Sequence, residues 1–267
     1  MDSTAKKLDR EPMNKRAIAD AFGRAAESYD RHAELQRQVG HQLLDLMPED
    51  LTGLTVLDLG CGTGYFSQLL KNRGAEVYCL DLSSEMLAEA ERRCGSIGMR
   101  YQVGDAEQLP LADASVDMVF SSLALQWCED LSVPLAEASR VTKANGKIFF
   151  TTLLSESLYE LRQAWREIDS YQHVNDFVST NQVKIALAQA ECDRHHLDLA
   201  TSTLWYPSAM ALMRDLKGIG ATHVSGRANG LTAPGTIRRL EKAYQKFRNH
   251  QHLLPASYQV CFGVIDL

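Results

Sequence analysis

The chain has six cysteines, Cys61, Cys79, Cys94, Cys128, Cys192 and Cys261, yet no CxxC pair and no zinc-ligand spacing. That excludes a zinc ribbon and a dithiol redox centre, and no metal is expected. Several of these cysteines lie in apolar runs, so they read as reduced core residues of a cytosolic protein. Basic residues are not in excess either. The 28 Lys and Arg against 34 Asp and Glu leave a formal net charge of −6, the wrong sign for a general nucleic-acid binder. No apolar stretch approaches the ~18 residues that span a bilayer, and the polar start MDSTAKKLDREP has no signal-peptide core. Internal repeats and low-complexity tracts are also missing. What remains is a soluble, cytoplasmic globule. At 267 residues with 45% hydrophobic residues it suits one large α/β domain, or one with an inserted cap.

The most informative stretch present is TVLDLGCGTGYF, Thr55 to Phe66. An apolar run enters Asp58, and Gly60, Gly62 and Gly64 then fall at every second position, as in a buried parallel strand, a tight loop and a helix. Glycines at this density let the backbone approach a ligand closely. Asp58 before them can hold something cationic. A dinucleotide site wants GxGxxG, which is not this spacing. Two further carboxylates follow. Asp81 closes the apolar run Val77 to Leu80, where it can accept hydrogen bonds from both ribose hydroxyls of an adenosine. Asp105 follows the strand-like Tyr101-Gln102-Val103 in VGDAEQLPL. Each acid alone can be a helix cap or a turn former. Three of them ending three successive strands lie on one edge of a parallel sheet, where ligands bind.

Residues 1–13 read as disordered, and Asn14 to Met47 as helical, stopped by Pro48. Strand and helix signals then alternate: strands 55–59, 76–80, 99–104, 116–121 and 147–153, helices 65–73, 84–94 and 130–141. Ser83 fits the N-cap of the second of these helices and places Met86 against a ligand ring. After Thr152 come helices 158–168 and 181–190, a strand 197–206, a helix 207–216, a glycine-rich loop 216–235, a helix 236–249 and a closing strand 257–265. The division expected is a helical lid over 14–50, a ligand-binding core over 51–153, and substrate-side helices, lid loop and closing strands over 154–267.

The DxGxGxG pattern resembles the first motif of class I S-adenosylmethionine-dependent methyltransferases. Three further segments, AFGRAAESYDRHAELQ (21–36), SLALQWCEDL (122–131) and LKGIGATH (216–223), are similar to the malonyl-acyl-carrier-protein O-methyltransferases of biotin synthesis. The likeness covers residues 14 to 265. The first segment is shared loosely with quinone-pathway C-methyltransferases, and Ala144 stands where many class I methyltransferases have proline. The resemblance implies a Rossmann-like sheet of seven strands, mostly parallel with the last antiparallel, under helical lid segments. It implies S-adenosylmethionine bound by Asp58, Gly60, Gly62, Gly64, Asp81, Leu82, Met86, Asp105 and Ala106. It also implies methyl transfer to the free carboxylate of a malonyl thioester on acyl carrier protein or coenzyme A. A carboxylate is ionised at neutral pH, so no general base is needed. Positioning candidates are Tyr29, on the N-terminal helix; Gln126 and Trp127, after the fourth strand, where Trp127 either walls the pocket or packs in the core; and Arg214, Lys217 and His223. One cation of the last three can orient the carboxylate, or all can serve surface pairing. Arg238, Lys242 and Lys246 recur every fourth residue and form a stripe that can dock an acidic carrier protein or simply face solvent. The competing readings are a quinone-pathway or small-molecule C/O-methyltransferase, a nicotinamide dehydrogenase, and a non-catalytic S-adenosylmethionine-binding scaffold.

Overall fold

The computed structural model describes residues 14–221 and 234–267, so residues 1–13 and His223 lie outside the described residues. Seven strands form one sheet in the order β3-β2-β1-β4-β5-β7-β6. They are β1 (Thr55–Leu59), β2 (Glu76–Asp81), β3 (Met99–Val103), β4 (Val116–Ser121), β5 (Thr142–Leu153), β6 (His195–Tyr206) and β7 (Leu254–Asp266). Neighbours from β3 through β5 pair in parallel, and β7 runs antiparallel between β5 and β6. Successive strand residues bury on opposite faces, as the pleat demands. Val56, Phe149 and Val260 join one apolar cluster, while Leu57, Phe150 and Cys261 join the other. The helices are α1 (Lys15–Ala25), α2 (Glu34–Leu44), α3 (Tyr65–Asn72), α4 (Ser84–Cys94), α5 (Ser132–Val141), α6 (Tyr159–Arg166), α7 (Thr180–Gln189), α8 (Ala209–Gly218) and α9 (Pro234–Tyr244). Ser83 does cap α4, accepting the amide of Met86 at 3.3 Å.

Three readings of the sequence need correction. The N-terminal segment is two helices, α1 and α2, broken over residues 26–33 with a single 3-10 turn at Tyr29–Arg31. Tyr29 therefore lies in the break and not on a helix. The break is held by side chains that reach far away. Asp30 accepts from Thr63 Oγ1 at 2.7 Å and pairs with Arg93 on α4, and His32 Nδ1 lies 2.7 Å from Asp215 Oδ1 on α8. The helix before the glycine-rich segment runs two residues further than expected, to Gly218, and residues 222–233 of that segment lie outside the described residues. Finally, α9 stops at Tyr244 and passes into a 3-10 turn, Gln245–Phe247, which takes Lys246 out of α-helical register with Arg238 and Lys242.

Candidate active site

The C-terminal ends of β1 to β4 open on a cleft of about 700 Å³. Gly60, Gly62, Asp81, Leu82, Met86, Asp105 and Ala106 all line it, with Ile18 and Phe22 of α1 closing over the top. The loop after β1 explains its glycines. Gly60 has φ +76°, and a Cβ there would meet the Cβ of Ala124 at 2.3 Å, so no larger residue fits beneath the loop. Gly62 has φ +54° and only open space where a Cβ would stand, while its amide donates to Asp81 Oδ2 at 2.9 Å. The other oxygen of Asp81 accepts from Ser83 N at 2.9 Å. Burial pushes the Asp81 carboxyl up, and these amides oppose that shift. Asp105 is fixed by an Asx turn to Glu107 N at 2.9 Å. A cleft with carboxylates at the ends of β2 and β3, an open glycine cradle and apolar walls fits a nucleoside carrying a flexible polar tail.

Two of the expected ligand residues are not in the cleft lining. Asp58 is 2% exposed, and accepts from Ser67 Oγ of α3 at 2.5 Å. It braces the glycine loop from behind. Gly64 has φ +75° at the start of α3, and a Cβ there would press on the Ala90 backbone of α4 at 2.8 Å. It stands at a close packing of α3 against α4.

A second chamber of about 870 Å³ adjoins the cleft, and Phe22, Tyr29, Leu123 and Trp127 line both. Tyr29 thus stands at the junction. Burial, with Asp81 and Asp30 nearby, raises its phenol well above the usual tyrosine value, so it is a hydrogen-bond donor at any physiological pH. Trp127 packs edge-on to Phe22, with centroids 5.3 Å apart. Gln126 lines the chamber, its Nε2 donating to Leu123 O at 2.6 Å and its Oε1 buried without a partner among the described residues. The chamber is otherwise mostly apolar, and its lining among the described residues includes no Lys or Arg. Arg214 and Lys217 are exposed on α8, whereas Asp215 between them turns inward to His32.

A family profile described as "Methyltransferase domain" matches residues 57–150. A malonyl-acyl-carrier protein O-methyltransferase of Serratia marcescens is 47% identical over 254 residues, covering 95% of this chain and 96% of that protein. The chain belongs to the malonyl-acyl-carrier-protein O-methyltransferase family. A longer relative, the biotin biosynthesis bifunctional protein BioHC of Cellvibrio japonicus, is 39% identical over 95% of this chain and 50% of its own length. Among solved structures, a methyltransferase from Bacillus halodurans C-125 superposes with a TM-score of 0.61 at 16% identity, covering 85% of this chain and 97% of its own. That likeness concerns the fold alone.

Within this O-methyltransferase the structure adds site residues that the sequence did not mark. Lys15 of α1 pairs with both Asp105 and Glu107, fastening the first helix to the rim of the cleft. Asp30 binds the glycine loop through Thr63. Gly218 and Gly220 of LKGIGATH acquire a reason as well. A Cβ on Gly218 would strike the His32 ring at 2.2 Å, and Gly220, at φ +75°, lies against the backbone of Ala21 and Phe22. The glycines let the end of α8 close against the N-terminal segment over the chamber.

Proposed function

We propose that the protein transfers a methyl group from S-adenosylmethionine to the free carboxylate of malonyl-acyl-carrier protein, forming the methyl ester early in biotin biosynthesis. The observation that carries this reading is the pairing of two adjoining cavities in a chain 47% identical to a malonyl-acyl-carrier protein O-methyltransferase. S-adenosylmethionine supplies an electrophilic methyl on a sulfonium. Gly60 and Gly62 fit its polar tail, Asp81 its ribose hydroxyls, and Asp105 with Ala106 its adenine, between Leu82 and Met86. Asp58 and Gly64 support the loop from outside the cleft.

The chamber would hold the malonyl thioester, with its carboxylate at the junction beside Tyr29 and Trp127. Displacement there joins an anion to a cation and gives uncharged groups, so a water-poor, weakly polar junction favours it. Tyr29 offers one neutral hydrogen bond to the distal oxygen and leaves the attacking oxygen free. A guanidinium in that place would hold the carboxylate in its charged state, and the described lining has none. Gln126 keeps Leu123 and Trp127 in position through its bond to Leu123 O.

The acyl carrier protein is an acidic partner, and we assign its landing surface to the outer faces of α8 and α9. Arg214, Lys217, Arg238, Arg239 and Lys242 are exposed there, and these two helices pack together. Their acids face inward: Asp215 to His32, and Glu241 to the Ala209 amide at 2.8 Å. Lys246 instead pairs with Glu167 at 2.6 Å and adds less.

The test is intact-mass spectrometry of malonyl-acyl-carrier protein after incubation with enzyme and S-adenosylmethionine, with acetyl-carrier protein as control. One added methyl on the malonyl species alone is expected. No mass change, in a preparation that still binds S-adenosylhomocysteine, would overturn the substrate.

A further inference from the structure

Tyr29 and His32 both line the substrate chamber, and the backbone fixes their order along it. They belong to one 3-10 turn, closed by the His32 amide donating to Tyr29 O at 2.9 Å. Side chains three apart in such a turn eclipse one another, about 6 Å apart along its axis. His32 therefore stands one turn from the junction with the cofactor cleft, on the same side as Tyr29. Beyond the imidazole comes Asp215 of α8, its Oδ1 2.7 Å from His32 Nδ1.

Asp215 is the one carboxylate of the chamber lining among the described residues, and its side chain is 32% accessible. A carboxylate only accepts hydrogen bonds, and it has about four lone-pair sites. His32 meets one of them. Tyr206, also of the lining, meets another: its phenol is pushed up by burial, then by the charge of Asp215 and a hydrogen bond to it. Acceptor capacity is left over, on a carboxylate in the wall of a chamber that has to admit an anion. Like charges brought together are costly, so the anionic substrate has to bring a donor as well.

We propose that Asp215 recognises the arm that carries the malonyl group, by accepting the amide N–H nearest the thioester sulfur. The inference rests on the substrate reading above, with the malonyl carboxylate at the junction. The malonyl group has acceptors only, in its carboxylate and its thioester carbonyl, and offers nothing to Asp215. The first donor is the amide N–H of the pantetheine arm, which acyl carrier protein and coenzyme A share. Six bonds separate the carboxylate carbon from that nitrogen, a reach of about 7 Å when extended. This matches the step of about 6 Å from Tyr29 to His32 and its partner Asp215. The wall offers a donor and then an acceptor where the substrate offers an acceptor and then a donor. Asp215 is thereby a specificity residue for the arm and not for the acyl group.

The experiment compares malonyl-pantetheine with an analogue in which oxygen replaces the N–H nearest the sulfur, giving an ester for the amide. Methyl transfer from S-adenosylmethionine is followed by mass spectrometry. Wild-type enzyme should favour the amide by about tenfold in kcat/KM, the size of one charge-assisted hydrogen bond. Most of that should lie in KM, since the contact is remote from the reacting oxygen. A neutral acceptor is about half as strong, so in Asp215→Asn the preference should fall to about threefold, and in Asp215→Ala to about one. A ratio taken within one protein cancels any loss that a variant suffers on both substrates. If Asp215 served only to brace His32, both variants would keep the tenfold preference, and the contact would be overturned. A wild-type ratio near one would overturn it as well, whether or not a variant folds. So would failure to use either compound in enzyme that methylates malonyl-acyl-carrier protein, because an arm contact beside the thioester has to serve any substrate with the arm. Failure to methylate malonyl-acyl-carrier protein itself would instead overturn the activity on which the contact rests.

Discussion

Asp58 sits behind the glycine loop, and burial pushes its carboxyl up from 3.8 to about 7, against the opposing bond from Ser67. The folded protein thus keeps a proton that the unfolded chain has released. Between those two values stability falls as pH rises, and it levels off above about pH 7. Asp58→Asn keeps an acceptor for Ser67 and removes the charge. Its unfolding free energy should lose that part of the slope, exceeding wild type by up to ~4 kcal/mol at about pH 8. Urea titrations across that range check it, and parallel curves for the two proteins would refute it. The loop glycines separate two demands. Gly62→Ala meets no atom of the protein, so only backbone strain of ~1–2 kcal/mol is expected in stability, while the new methyl enters the cleft and weakens S-adenosylhomocysteine at least about tenfold. Gly60→Ala collides with Ala124 and should damage both folding and binding, as thermal unfolding and calorimetry would separate. These glycines and the carboxylates of Asp81 and Asp105 were legible because a strand end followed by a turn leaves a local pattern. Asp30, His32 and Lys15 were not, since their partners lie 33, 183 and 90 residues away and charge pairing at such range has no period.

At the scale of elements, the strands were readable because each is an apolar run bounded by polar turns, and β1, β4 and α4 match their expected ranges. The break between α1 and α2 was not readable. No proline interrupts residues 14–47, and Leu35, Val39 and Leu43 keep helical spacing. What breaks the helix is tertiary, the anchoring of Asp30 and His32 to elements that come later in the chain. Phe22 and Tyr29 of the N-terminal segment line both cavities, and the segment is predicted to act as a clamp over them. Asp30→Ala should free Thr63 and strand Arg93, whose Nη1 is already buried without a partner among the described residues. S-adenosylhomocysteine affinity should drop about tenfold, with faster amide exchange over 26–33. Asp30→Asn, which retains an acceptor for Thr63, should lie between the two. An Asp30→Ala protein that binds the product normally would show that the clamp does not shape the cleft.

Across the whole molecule, a chain of net charge −6 must meet an acidic carrier protein, so overall electrostatics oppose the encounter and a local field has to reverse it. On the proposed reading the bases on α8 and α9 supply that field, while the acids of both helices are turned inward. Opposed fields act on encounter more than on the bound state, so salt should matter for the protein substrate and little for a small thioester. Reversing Arg238 and Lys242 to glutamate leaves both cavities untouched, because neither residue lines them. The double variant should raise KM for malonyl-acyl-carrier protein by about tenfold or more at low salt, with the gap to wild type narrowing as ionic strength approaches ~0.5 M. KM for malonyl-coenzyme A should change much less. Equal effects on the two substrates would move the landing surface elsewhere. A salt-independent loss for the carrier alone would mean that these residues act by shape rather than by charge.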